Sequence, residues 1–210
     1  MFENLQGFFE STTGQTIAVG VIVILLALII IPEKNEKIDI KGLTLAALMI
    51  ALAIGLNQIT LFRMPYGGSI TALSMLPIVL CGYFLGTKKA VMAGICFGIM
   101  NLIFNPFVIH PLQLLLDYPI AFGVLGFSGL MRKKKNGLLK GYILGISCRY
   151  ICAVLSGIIF FGAYAEDGFN SVTWSLWYNI IYIGAEGIIT IIVISLPPVK
   201  KAFESLKKQF

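Results

Sequence analysis

Charge is scarce in this chain. Of its 210 residues only 12% are Asp, Glu, Lys or Arg, where a soluble globular domain carries roughly a quarter. Histidine is almost missing, with His110 alone. Phosphate-loop, zinc-protease and serine-hydrolase signatures are absent; the run Gly82–Lys88 has glycines and a lysine at the wrong spacing. The four cysteines, Cys81, Cys96, Cys148 and Cys152, fall inside apolar runs without histidines beside them. They read as small packing residues, not metal ligands or a disulfide framework. Together these gaps exclude a disordered chain, a disulfide-rich secreted domain and a self-contained ATPase. They leave no constellation for an enzyme, and no cofactor or metal is expected.

What is present is apolar length. Hydrophobic residues make up 58% of the chain, and mean hydropathy is +0.90. Seven apolar stretches are readable, at Thr16–Ile31, Leu43–Phe62, Ile70–Leu85, Ala90–Phe104, Leu112–Met131, Tyr142–Phe161 and Trp174–Leu196. They predict membrane helices, the shorter ones upright or flanked by irregular segments buried in protein. None alternates as a barrel strand would. The first stretch lacks a basic leader and a cleavage site, so it reads as a retained helix, not a signal peptide. The expected organisation is an extra N-terminal helix and linker over 1–42, a helical membrane domain over 43–197, and a basic tail over 198–210.

Net charge is +6, and its placement matters more than its sum. Fourteen of the sixteen Lys and Arg follow the first, third, fifth and seventh stretches; Arg63 and Arg149 are left over. With alternating helices all fourteen share one side, which puts the amino terminus outside and the carboxyl terminus in the cytoplasm. Glycines recur four apart at Gly82/Gly86, Gly94/Gly98 and Gly141/Gly145, a spacing that lets membrane helices approach closely.

Three ionisable residues fall within spans: Asp117, Arg149 and Glu186. Each is costly against lipid and is expected to face inward. At ~1.5 Å per residue Arg149 and Glu186 lie at similar depth, which suggests a buried ion pair, and Asp117 lies nearer the outer face without a basic partner. An unpartnered carboxylate there suits a cationic ligand, or alternatively caps its own helix. Around it stand Tyr118 and the aromatics Phe160, Phe161, Tyr164, Phe169, Trp174, Trp177 and Tyr178, which read either as an interfacial belt or as the walls of a pocket. Ser175, Asn179, Tyr182 and Glu186 share one helix face, and a polar stripe on a membrane helix looks inward. The convergence suits a flat, positively charged heteroaromatic molecule held by stacking and cation–π contact.

Four segments then carry a resemblance: FRMPYGGSITALSMLPI (Phe62–Ile78), NPFVIHPLQLLLDYPIAFGVLGFSGL (Asn105–Leu130), SGIIFFGAYAEDG (Ser156–Gly168) and WSLWYN (Trp174–Asn179). The sequence resembles the thiamine-specific substrate-binding (S) subunits of energy-coupling factor (ECF) vitamin transporters. The resemblance implies an all-α integral membrane fold, a six-helix bundle to which Thr16–Ile31 is an addition. It implies thiamine, or a precursor or analogue, as ligand. It also implies a coupling membrane subunit and two cytoplasmic ATPases as partners in the plasma membrane of a prokaryotic cell. The family's acidic residue followed by tyrosine falls on Asp117 and Tyr118, its asparagine on Asn179, its tyrosine five residues earlier on Trp174, and an aromatic on Phe161 with Tyr164 close by. Tyr178 belongs to the same aromatic set, and the family's histidine in the fifth core helix is Ala153 here. Arg63, Tyr66, Gly67, Gly68 and Ser69 form a loop expected to act as a lid. The small face Ala47, Ala51 and Gly55 is expected to meet the coupling subunit. A proton-coupled carrier working alone, titrating Asp117 or Glu186, is the rival reading.

Overall fold

The computed structural model describes residues 40–210 continuously, with isolated positions between 11 and 24. The stretch Thr16–Ile31 expected as an extra helix, and its linker, fall largely outside the described residues. Helix α1 runs over Ile40–Gln58, followed by a two-stranded antiparallel hairpin of β1 (Thr60–Arg63) and β2 (Ser69–Thr71). Then come α2 (Leu76–Leu85), α3 (Thr87–Phe104), α4 (Pro111–Met131), α5 (Gly137–Phe160), α6 (Ser171–Ser195) and α7 (Pro197–Lys207). Five of these, α1 and α3 to α6, are long and apolar enough to cross a membrane. The chain is an all-α, multi-pass membrane protein.

Two expected spans are cut short by the hairpin. The stretch Leu43–Phe62 leaves helix at Gln58, and Ile70–Leu85 becomes helical only at Leu76. Hydrophobicity could not reveal this, because strand residues such as Leu61, Phe62 and Ile70 are as apolar as helix residues. Backbone chemistry could have. Pro65 favours a turn, and Pro77 sits in the first turn of α2, where a missing N–H costs nothing. Leu73, with φ +64°, turns the chain between strand and helix. Helix α6 starts at Ser171, earlier than its apolar run, because Asn170 and Thr173 form a reciprocal capping box.

α2 is the axis of the bundle, with nine of its ten residues buried. A helix apolar on every side belongs in the interior. α1 packs on one flank only, and buries just Gly42 and Ala53 fully. Around α2 the helices are drawn together by glycine. Gly82 meets the Gly129 backbone, Gly94 the Phe122 carbonyl, Gly126 the Ala90–Val91 backbone, and Gly141 the Ser128 backbone. A Cβ at any of these would collide with main chain. Phe97 and Phe122 then lock edge to face at 4.7 Å.

Helices α4 and α6 are irregular. Each contains one π-type turn, Leu116–Ile120 in α4 and Ile180–Gly184 in α6. In α4 the cause is visible: Pro119 has no N–H to give, and the Ala121 N–H reaches back to Leu116. Asp117 and Tyr118 lie within the first bulge, and Asn179 immediately precedes the second.

Candidate functional site

The ends of α1 and α3, the starts of α4 and α6, the end of α5 and the hairpin enclose a cavity of about 540 Å³. It lies at the end of the bundle opposite the lysine-rich turns. All twelve ligand and lid residues expected from the sequence line it: Asp117, Tyr118, Phe161, Tyr164, Trp174, Tyr178 and Asn179, with Arg63, Tyr66, Gly67, Gly68 and Ser69.

Asp117 faces this cavity. One carboxylate oxygen accepts a hydrogen bond from the Gln113 amide at 2.6 Å. Gln113 is itself buried and held by the Phe107 carbonyl and the Ile109 N–H. The carboxylate is thus oriented by a neutral group, and Arg149, in the same cavity wall, is near enough to act on it through space, so Asp117, expected to lack a basic neighbour, has one. Nearby, the Ser156 hydroxyl stands beside the Asp117 carboxylate, and the buried hydroxyl of Ser175 lines the cavity with no hydrogen-bond partner among the described residues. Buried polar atoms are almost always paired, so an orphan in a cavity wall marks where a ligand's polar atom fits.

The aromatics form an arc. Phe107 stacks on Phe161 at 6.1 Å, and Phe161 leans on Tyr164 at 5.9 Å. Tyr164 meets Tyr66 of the hairpin at 5.0 Å, Tyr66 meets Tyr178 at 6.5 Å, and Tyr178 meets Trp174 at 5.9 Å. Tyr118 plays a different part from its neighbours. Its hydroxyl donates to the Asn105 carbonyl and accepts from the Phe107 N–H, so it braces the loop that carries Phe107. Phe160 and Trp177 are not in the cavity. Phe160 stacks on His110, and Trp177 is 55% exposed, as an interfacial residue would be. Phe169 only buttresses Trp174.

The hairpin is fastened to α6 at two points. At its tip, Tyr178 Oη accepts from the Gly68 N–H and donates to the Pro65 carbonyl. A side chain at Gly68 would push against that hydroxyl and disturb the clasp. At its base, the buried Glu186 carboxylate accepts from the Thr71 N–H (3.0 Å), Thr71 Oγ1 (2.6 Å), Ser74 Oγ (3.3 Å) and the Met75 N–H (3.3 Å).

The ion pair expected between Arg149 and Glu186 is therefore not formed. Hydrogen bonds from the hairpin take up Glu186, and the Arg149 guanidinium lies 4.0 Å from the Phe122 ring centroid, in the cavity wall. Equal depth along two helices did not predict contact, because the second bulge and the hairpin lie between the sequence and the geometry. Asn179 is also more occupied than its position suggests. Its amide donates to the Ser175 and Ala153 carbonyls, and its oxygen accepts from Tyr182 Oη at 2.8 Å.

Several residues of the cavity wall carry no obvious sequence signal: Arg149, expected to pair with Glu186, and Gln113, Asn57, Asn101 and Asn105. The carboxamides form a cluster, with Asn105 Nδ2 bonded to both Asn57 and Asn101 at 3.2 Å. The one usable sign is that Asn101 and Asn105 stand one turn apart at the end of an apolar run. Among the described residues no group of His, Cys, Asp and Glu could hold a metal.

The cavity's neighbours among known proteins are consistent in kind. The family described as "Thiamine transporter protein" matches residues 43–205. A thiamine transporter ThiT of Bacillus subtilis is 35% identical over 178 residues, 77% of this chain and 92% of the relative. A second, from Lacticaseibacillus paracasei, is 31% identical over 63% of this chain and 74% of the relative. The solved structure of ThiT from Listeria monocytogenes superposes with a TM-score of 0.63 at 26% identity, over 77% of this chain and 96% of that one.

Proposed function

The chain belongs to the thiamine transporter protein family, and from that premise we propose that it is the substrate-binding subunit of an ECF-type uptake system, taking thiamine into the cavity at the hairpin end of the bundle. The observation that carries this is the cavity-facing carboxylate of Asp117, oriented by a neutral amide inside an arc of aromatic rings. Thiamine is a flat organic cation. Asp117 compensates its charge where little water competes, and Phe161, Tyr164, Tyr66 and Trp174 stack on its two rings, each contact contributing ~0.5–2 kcal/mol. The Ser156 and Ser175 hydroxyls, with Asn179, supply hydrogen bonds to the pyrimidine. The hairpin is the lid, clasped by Tyr178, and its opening admits the ligand.

The chain carries no nucleotide-binding signature, so energy comes from other subunits. Ala47, Ala51 and Gly55 form an exposed small face on α1, and Gly55 has open space where a Cβ would be. This face is the coupling surface for the membrane partner of the two ATPases. The basic turns at the far end support a carboxyl terminus in the cytoplasm of a prokaryotic cell and a cavity facing outside.

Fluorescence titration tests the ligand. The chain has two tryptophans; Trp177→Phe removes the exposed one and leaves Trp174 to report. Quenching that saturates at micromolar thiamine or below is the expected result. A flat signal with thiamine, and saturation with its pyrimidine precursor alone, would reassign the ligand.

A further inference from the structure

The second cavity of the molecule lies at the opposite end and takes no part in the reading above. It measures about 610 Å³ and sits between the α4–α5 turn, the end of α6 and helix α7. Lys134, Lys200, Lys207 and Lys208 line it, against one carboxylate, Glu204. Two of the lysines are used by the fold. Lys200 Nζ donates to Asn136 Oδ1 at 3.1 Å, and Lys207 donates to the Arg132 carbonyl while lying 4.1 Å from the Tyr83 ring centroid. The ammonium groups of Lys134 and Lys208 make no hydrogen bond or ion pair among the described residues.

The cleft is built, not a fringe of loose side chains. Leu196 is extended, and Pro197 begins a separate helix that turns back beneath the bundle. Phe203 of α7 packs into the core, with its ring 6.5 Å from Phe84. This fixes α7 and aims its lysines at the α4–α5 turn, where Asn136 adopts a left-handed conformation (φ +56°). The cations are crowded: burial first, and then the Arg132 guanidinium, push the Lys207 ammonium below the usual lysine range, with Glu204 opposing. A bound anion would relieve that crowding.

The geometry points to an anionic phospholipid headgroup as the occupant of this cleft. The site lies at the ends of helices able to cross a membrane, and α5 and α6, which frame it, carry exposed Ile143 and Ile192 toward the bilayer interior. Basic pockets of this kind between helices receive phosphate headgroups, with the acyl chains along the apolar helix faces. A nucleotide would want a free aromatic face, and the cleft's one aromatic, Tyr83, already holds Lys207.

Native mass spectrometry of the full chain in detergent, titrated with phosphatidylglycerol or phosphatidylcholine, tests this independently of thiamine. Phosphatidylglycerol is expected to bind about ten-fold more tightly or better, since each lysine near an anionic headgroup is worth about five-fold. The Lys134→Gln/Lys208→Gln variant is expected to lose that preference to within about two-fold. Neither side chain has a partner in the fold, so folding is preserved. Lys140→Gln/Lys201→Gln removes the same charge from the same end but outside the cleft, and is expected to keep the preference. Equal loss in both variants would overturn the site in favour of diffuse attraction. Displacement of phosphatidylglycerol by equimolar inorganic phosphate would overturn the lipid in favour of a soluble anion. Equal affinity of the wild type for both lipids would overturn it outright.

Discussion

The two ends of α3, α4 and α5 follow opposite rules. At the basic end Gly94, Gly126 and Gly141 bring the three backbones into contact, and nothing separates them. At the other end the same helices carry Asn101, Asn105, Asp117, Arg149 and Phe161 around a cavity, with α3 still touching α4 where Gly98 meets the Tyr118 carbonyl. Side-chain size sets both outcomes. Removing side chains fuses helices through close van der Waals contact. Supplying polar and aromatic ones keeps the helices apart and leaves hydrogen-bonding capacity facing inward. A rigid zipped half therefore supports a half that can receive a ligand.

The contrast can be broken most severely at the zipped end. Gly94→Val places a branched side chain against the Phe122 carbonyl, where no flexible group can yield. Overpacking of a tight core typically costs about 1–3 kcal/mol and more against backbone, so a large fall in melting temperature or outright loss of monodisperse protein is expected. A melting point within a few degrees of wild type would mean the backbones are not in contact. The next effect is confined to the open end. Asp117→Asn keeps the shape and the Gln113 contact but removes the charge, and thiamine affinity is expected to drop about 30-fold or more. The ligand-free melting temperature should hold; if stability falls while affinity does not, Asp117 is a structural group. The smallest effect concerns the lid. Tyr178→Phe removes the hydroxyl that joins the Gly68 N–H and the Pro65 carbonyl. Losing such hydrogen bonds costs about 1 kcal/mol. Stopped-flow dissociation of thiamine should then speed up about five-fold with unchanged ring contacts. An unaltered rate would show that the hairpin tip is not the exit.

Much of the open end was legible because polar residues in a membrane helix have few places to go. The stripe Ser175, Asn179, Tyr182 and Glu186 does line the cavity, and so do Asp117, Phe161, Tyr164, Trp174 and Tyr178. The zipped end was legible as glycine spacing. What escaped was backbone irregularity. Hydropathy cannot separate strand from helix in 61–71, so it merges the hairpin into two spans. It likewise hides the partners of Glu186, because Thr71 and Ser74 lie in an apolar stretch that reads as helix. Belt and pocket aromatics share composition, so Trp177 and Phe160 differ from Trp174 and Phe161 only by helix phase.

The widened turns in α4 and α6 also bear on how the pocket can change over generations. Each such turn holds one residue more than a regular one, the length equivalent of a single-codon insertion. Deleting one residue at Ile180–Gly184 would restore a regular helix there, and because the widened turn already absorbs the extra residue, the segments on either side would keep their mutual phase. Asn179 and Glu186 would hold their places, while Tyr182, inside the turn, would be the side chain displaced. The insertion thus lets evolution adjust one wall of the pocket in a single step while the anchoring of the hairpin stays as it is.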